Sequence, residues 1–213
     1  MKRFDDRQDG GRRLANALRR YAGREDVIVL GLPRGGVPVA AEVARALDAP
    51  LDVFLVRKLG VPGREELAFG AIASGGARVL NPDVVGSLGI DERTIEEVSA
   101  RERAELERRA EAYRGTAAPP DLRDRTVILV DDGLATGASM RAAVEAVRGL
   151  GPERVVVAVP AAARQTSDEL ERTVDEVVCL LTPEPFFAVG MWYRDFSETT
   201  DDDVRAALAR ARA

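Results

Sequence analysis

Residues 127–139 read VILVDDGLATGAS. With Thr126 in front, they make an apolar and β-branched run that ends in two adjacent aspartates and then in a glycine- and hydroxyl-rich turn. A short apolar run bounded by turn residues reads as a buried strand. Gly133 and Gly137 allow a tight turn and close approach of backbone amides to a ligand. Thr136 and Ser139 add hydroxyls. A helix starting near Gly137 would aim its free N–H groups and positive dipole end into the same loop.

The same alternation of strand and helix extends on both sides of this stretch. Val27–Gly31 and Leu51–Val56 read as short apolar strands, with a helix between them over Val37–Leu47. Val155–Val159 and Glu176–Leu181 read as further strands, after a helix that runs to about Leu150. Uninterrupted apolar strands alternating with helices predict a doubly wound, mostly parallel α/β sheet covered on both faces. Ligands of such sheets bind beyond the carboxyl ends of the strands, where the winding reverses. Three loops with unusual chemistry are expected at that edge: 33–36, 57–63 and 131–139.

Other segments decorate this plan. Residues 9–22 carry Leu14, Leu18 and Tyr21 at helical spacing, and Gly23 is placed to end that helix. Residues 68–80 read as two short strands around Ser74-Gly75-Gly76. Residues 91–114 predict a long charged helix with Ile95, Val98, Leu106 and Tyr113 as a sparse apolar stripe. Charge pairs such as Arg101 with Glu105 and Glu105 with Arg109 stand at helical spacing. Residues 201–211 predict a terminal helix with Asp201–Asp203 at its positive end. The expected organisation is a single domain over 1–213. Its core spans about 26–181, with a helical insertion at about 81–125 and a tail at about 182–213.

Composition narrows the chemistry. The chain has 213 residues, enough for one sizeable core, and a net charge of −5, which argues against nucleic-acid binding. It has no histidine, so Ser-His-Asp, Cys-His and His-ligated metal mechanisms are excluded within one chain. The single cysteine, Cys179, allows no internal disulfide, and its apolar neighbours suggest a buried thiol. No signal-peptide pattern opens the sequence and no apolar run is long enough to span a bilayer, so a cytoplasmic protein without membrane partners is expected.

The 131–139 stretch describes a phosphate cradle without the Gly-Lys-Ser ending of a nucleotide P-loop. Asp131 and Asp132 would repel a phosphate, so they fit hydroxyl groups or a divalent cation further along the ligand. Phosphate at one end and vicinal hydroxyls at the other describe a ribose 5-phosphate. The plainer alternative is a strand–turn–helix junction with a capping aspartate. At this point VILVDDGLATGAS resembles the 5-phosphoribosyl 1-pyrophosphate (PRPP) motif of type I phosphoribosyltransferases. The resemblance implies that Gly133, Leu134, Ala135, Thr136, Gly137, Ala138 and Ser139 hold the 5-phosphate, and that Asp131 and Asp132 contact the ribose hydroxyls.

LGLPRGG at 30–36 resembles the family's pyrophosphate loop, which often carries a non-proline cis peptide. Arg34, Gly35, Gly36 and Lys58 would then bind pyrophosphate. Read alone, the stretch is an ordinary strand-to-helix turn, and Arg57-Lys58 a solvated pair. RKLGVPGREELAFG at 57–70 is similar to the mobile loop of adenine phosphoribosyltransferases. Phe69-Gly70 match, but Ala68 stands at the glutamate position, with Glu65 and Glu66 earlier. Ala135 likewise replaces the aspartate of hypoxanthine-guanine enzymes. PEPFFAVGMWYRDF at 183–196 holds five of the ten aromatic residues. It is either a hydrophobic plug or a hood over an acceptor, with Phe187, Trp192 and Asp195 as acceptor contacts. FAVG followed by Asp195 is similar to the base-binding tail of purine phosphoribosyltransferases, with the aspartate one position off.

The implied reaction is transfer of the 5-phosphoribosyl group of PRPP to a nitrogenous acceptor, a purine-like nucleobase being favoured. Pyrophosphate is released, and Asp131, Asp132, Arg34 and Lys58 are the catalytic candidates. Magnesium is expected to be held mainly through PRPP, without a dedicated protein site, and a homodimer is expected. The alternative is a non-catalytic regulatory protein that binds PRPP or a ribose phosphate.

Overall fold

A computed structural model describes residues 3–115 and 117–212; the side chains of Glu65, Glu66 and Arg212 lie outside the described set. In chain order the elements are α1 (Arg7–Ala17), β1 (Val27–Gly31), α2 (Gly36–Leu47), β2 (Leu51–Val53), β3 (Val56–Val61), β4 (Arg64–Ala73) and β5 (Arg78–Leu80). Then come α3 (Pro82–Leu88), α4 (Glu92–Arg114), β6 (Thr126–Val130), α5 (Ala138–Arg148), β7 (Arg154–Ala161), α6 (Arg164–Leu170), β8 (Glu176–Leu181) and α7 (Asp201–Arg212).

Five strands form one sheet in the order β2-β1-β6-β7-β8, with every neighbouring pair parallel. β1 and β6 are buried at every residue, which is why their sequences are apolar throughout rather than alternating. Two buried clusters cover the two faces. Leu14, Val43 and Leu47 from α1 and α2 pack on one side, and Met140, Val144 and Val147 from α5 on the other. Numbered within the sheet alone, the order is 2-1-3-4-5, and the winding reverses between β1 and β6. The crevice beyond the carboxyl ends of those two strands is therefore where a ligand is expected.

Two expectations change. The strand expected over Leu51–Val56 leaves the sheet after Val53, and the loop expected at 57–63 is mostly strand. β3, β4 and β5 form a separate antiparallel sheet, Lys58 facing Ala71 across β3–β4, and Gly63 takes a φ of 76° at the hairpin turn. Short runs such as these have no periodicity that tells one strand of six residues from two of three. The short helices α3 and α6 add to the sequence reading.

The long helix does bury Ile95, Val98, Leu106 and Tyr113. Its last residue, Arg114, is buried and bonds the Asp52 carboxylate at 2.9 Å and the Val53 carbonyl at 2.5 Å, which pins α4 to the sheet edge. Glu105 pairs with Arg108 and Arg109, while Arg101 turns to Glu102 instead of Glu105. No described helix is long and apolar enough to cross a membrane. Burial pushes the Cys179 thiol up to about 11, in line with an inert sulfur.

Candidate active site

The loops after β1 and β6 meet at the switch point. Gly36 opens α2 so close to the end of β6 that a Cβ there would lie 2.7 Å from the Val130 carbonyl oxygen and 2.8 Å from the Asp131 Cα. At Gly35 a Cβ would lie 2.0 Å from Asp132 Oδ2. The two glycines of PRGG thus let the two loops touch, and the Pro33–Arg34 peptide between them and β1 is cis.

Beyond the acidic pair the backbone divides its polar groups. The Leu134 amide donates to the Ala161 carbonyl at 2.9 Å, and the Ala163 amide donates to the Leu134 carbonyl at 2.8 Å. Leu134 is therefore committed to the fold, with a buried side chain, and the expectation that it binds phosphate is corrected for its amide. The Ala135 carbonyl accepts from the Thr166 hydroxyl at 2.6 Å, and the Thr136 carbonyl from Arg141 Nη2 at 2.7 Å. With these carbonyls tied back, the amides of Ala135, Thr136 and Gly137 donate to no group among the described residues. Gly137 sits at φ 68° as the N-cap of α5, so the amides of Ala138 and Ser139 have no acceptor within their own helix. A turn of unpaired amides at a helix start is an anion cradle. Thr166 and Arg141, which shape it, carry no sequence signal of their own.

Asp131 and Asp132 stand half-buried beside this cradle. The Asp132 amide donates to Asp131 Oδ1 at 2.8 Å. Burial raises the Asp131 carboxyl well above the usual carboxylate range, and the neighbouring Asp132 charge adds to that. Burial also raises Asp132, while Arg7 opposes the shift. Arg7 comes from α1, far outside the motif; its Nε donates to Asp132 Oδ2 at 2.8 Å. The Tyr193 hydroxyl donates to the Asp132 carbonyl at 2.6 Å, and burial pushes that phenol far above its ordinary value. Neither residue was singled out in the sequence, because each reaches the site across more than 60 residues of chain.

The remaining expected residues are Arg34, Lys58 and those of the tail. Arg34 pairs with the tail carboxylates of Glu198 and, at 3.9 Å, Asp201. Arg57 is taken by Glu102 on α4, leaving Lys58 as the exposed cation of β3. The tail runs back along residues 4–5: the Phe4 amide donates to the Trp192 carbonyl, and the amides of Arg194 and Asp195 donate to the carbonyls of Phe4 and Asp5, all at 2.9 Å. Phe4 and Tyr193 are buried together, with Val189 and Trp192 packed against them. Phe187 is 74% exposed. Trp192 stacks on Phe186 at 6.3 Å, with its indole nitrogen buried and without a hydrogen-bond partner among the described residues, as part of the plug. Asp195 accepts from the amide and hydroxyl of Ser197 in a local turn. A Cβ at Gly133 would meet Val189 at 2.5 Å, which places the tail against the motif loop.

Among the described residues no group of three or more acidic, cysteine or histidine side chains could hold a metal ion. The acidic pair supplies hard oxygen donors, which suit magnesium shared with a phosphate ligand.

Known proteins fit this architecture. The chain is 52% identical over 211 residues to a Mycobacterium tuberculosis protein named as a phosphoribosyl transferase of unproven activity, covering 99% of this chain and 47% of that one. It is 36% identical over 129 residues to the bifunctional protein PyrR of Chloroflexus aurantiacus, covering 59% of this chain and 65% of that one. The chain thus spans about half to two thirds of the length of these curated relatives. The crystal structure of TT1426 from Thermus thermophilus superposes with a TM-score of 0.87 at 50% identity, covering 98% of both chains. The family model described as phosphoribosyl transferase domain matches residues 2–194, a span that takes in the switch-point loops, the acidic pair and the tail up to Arg194, and the chain belongs to that family.

Proposed function

We propose that this site binds PRPP and transfers its 5-phosphoribosyl group to a nitrogenous acceptor, with a purine-like nucleobase as the favoured class and pyrophosphate as the other product. The observation that carries the reading is the meeting, at the β1/β6 switch point, of an amide cradle, an acidic pair and a glycine loop in direct contact. The cradle of residues 135–139 takes the 5-phosphate. Asp131 and Asp132 accept hydrogen bonds from the ribose hydroxyls. Arg34, Gly35 and Gly36 receive the pyrophosphate, with Lys58 approaching from β3.

In the reaction, the bond from the anomeric carbon to pyrophosphate oxygen breaks ahead of formation of the new carbon–nitrogen bond. Positive charge therefore develops on the ribose ring, as in glycoside cleavage. The acidic pair holds that ring in place and stands near the developing charge. The electron pair of the broken bond leaves with pyrophosphate, where Arg34 and the Gly35 amide stabilise it, the Gly36 amide being held by the Leu32 carbonyl at 3.0 Å. Bound through the phosphates of PRPP, magnesium would add charge neutralisation on the leaving group. Ala135 offers no proton acceptor, so an acceptor nitrogen that is already neutral and basic suits the site best. Phe187 and Asp195 in the tail, with Trp192 behind them, form the acceptor side. We extend the reading to one domain over residues 1–213 acting as a homodimer in the cytoplasm.

Pyrophosphate release measured with PRPP, magnesium and a panel of bases tests the reading; release is expected with a purine. Calorimetric PRPP binding without release for any base would replace transfer by sensing. Absence of PRPP binding would remove both.

A further inference from the structure

The leaving-group pocket has one cation that the PRGG motif supplies, Arg34, and a second from outside any motif. Arg7 Nε lies 2.8 Å from Asp132 Oδ2, and its Nη1 donates to the Ser197 carbonyl at 2.7 Å. Its guanidinium carbon sits 3.8 Å from the centroid of the Phe196 ring. A Cβ built on Gly35 would be 3.2 Å from that same Nε. The guanidinium thus stands where the acidic pair and the PRGG loop touch. The Arg7 and Asp132 side chains are only 13% and 15% exposed, whereas Arg34 is 43% exposed. A guanidinium has five N–H donors. Among the described residues, bonds to Asp132 and Ser197 use two of them, and the Phe196 ring fixes the plane in which the others lie.

We propose that Arg7 is a further pyrophosphate-binding residue of this site, a second arginine acting beside Arg34 across Gly35. The proposal rests on the PRPP reading. In PRPP the pyrophosphate is carried by the ring carbon next to the one bearing the 2-hydroxyl. A cation that touches both the carboxylate receiving ribose hydroxyls and the pyrophosphate loop therefore lies at the junction of ribose and leaving group. Negative charge grows on the pyrophosphate oxygen bonded to the anomeric carbon as that bond breaks. A guanidinium already held in plane at that junction needs little reorganisation to stabilise it. If Arg7 served only to orient Asp132, its loss would be felt by the ribose and not by pyrophosphate.

Calorimetry at fixed magnesium concentration separates these roles, with inorganic pyrophosphate, ribose 5-phosphate and PRPP as probes and wild type, Arg7→Gln and Arg7→Lys as proteins. Arg7→Gln is expected to weaken pyrophosphate and PRPP by about tenfold or more while leaving ribose 5-phosphate within about twofold. Arg7→Lys, which keeps the charge and loses the planar fork, is expected to fall between the two. Equal weakening of all three probes, or of ribose 5-phosphate alone, would make Arg7 a holder of Asp132 and overturn the proposal. If Arg7→Gln melts early, Arg7→Lys decides alone: selective weakening of pyrophosphate supports the proposal and parallel weakening overturns it. Wild-type PRPP binding with no change in Arg7→Gln removes this proposal only. A wild type that binds none of the probes removes the PRPP reading and this proposal with it.

Discussion

On one side of the cleft Gly36 lies against the backbone of Val130 and Asp131; on the other, the exposed Glu198 reaches Arg34 through a side-chain ion pair. The first contact is backbone on backbone, between the start of α2 and the end of β6, beyond two strands that are completely buried. The second joins a side chain that is 43% exposed to one that is 74% exposed. A contact of the first kind fixes the shape of a site, because neither partner can give way without moving a sheet. A contact of the second kind holds little energy and is easily exchanged for a ligand. The comparison assigns rigidity to the switch-point loops and exchangeability to the tail.

The largest effect is expected where the two loops touch. Gly36→Ala would force a methyl group against the Val130 carbonyl and Asp131, and overpacking of this kind costs about 1–3 kcal/mol. A lower melting temperature together with lost PRPP binding is expected. A variant that melts and binds like wild type would show that the loops are not rigidly apposed.

The largest effect on binding alone is expected at the acidic pair. Replacing Asp131 and Asp132 by alanine removes charge-assisted hydrogen bonds to the ribose, each contributing about 1.5–3 kcal/mol. Calorimetry should show PRPP affinity largely lost, and unchanged affinity would dismiss the assigned role.

The pair also predicts a pH dependence. Asp131 is raised above its ordinary value by burial, then by Asp132. A folded-state value above the unfolded one means that protonation favours the fold, so stability from this group is present at low pH and declines as pH rises from the unfolded value of 3.8 through the folded one. Asp131→Asn should therefore gain stability relative to wild type as pH rises across that window. A difference in melting temperature that stays flat would contradict the burial of this carboxylate.

Smaller effects belong to the tail. Phe187→Leu should leave the melting temperature unchanged, since the ring is exposed, while acceptor affinity falls if the ring stacks on the acceptor. Glu198→Gln should leave the fold intact and tighten PRPP slightly, by freeing Arg34; exposed pairs of this kind hold about 0–1 kcal/mol. Weaker PRPP binding in Glu198→Gln would mean that the tail carboxylate helps to place Arg34 and does not compete for it.

The two sides also differ in how visible they were in the sequence. β6 occupies Thr126–Val130 and β8 Glu176–Leu181, where unbroken apolar runs place them, and the stripe of Ile95, Val98, Leu106 and Tyr113 is the buried face of α4. These elements announce themselves because burial on both faces, or along one helical stripe, leaves a local pattern. The departure of β3–β5 from the sheet leaves none. A mostly apolar stretch such as Leu51–Val61, broken by Asp52, Arg57 and Lys58, suits either sheet, and only the packing of α4 and α5 against the hairpin selects one.

By itself the sequence determined the parallel sheet, the acidic pair and the glycine-rich turn, because each is written in residues adjacent in the chain. Tertiary structure alone decided that Arg7 and Tyr193 would close on Asp132, that Thr166 would draw back the Ala135 carbonyl, and that the tail would meet the N-terminal arm at Phe4. Those contacts join positions separated by up to 190 residues, as in the bond from Arg7 to Ser197. No local preference of arginine, tyrosine or threonine encodes such a partner. The partner is fixed by where the sheet order brings the chain ends, and the sheet order follows from burial of the whole core.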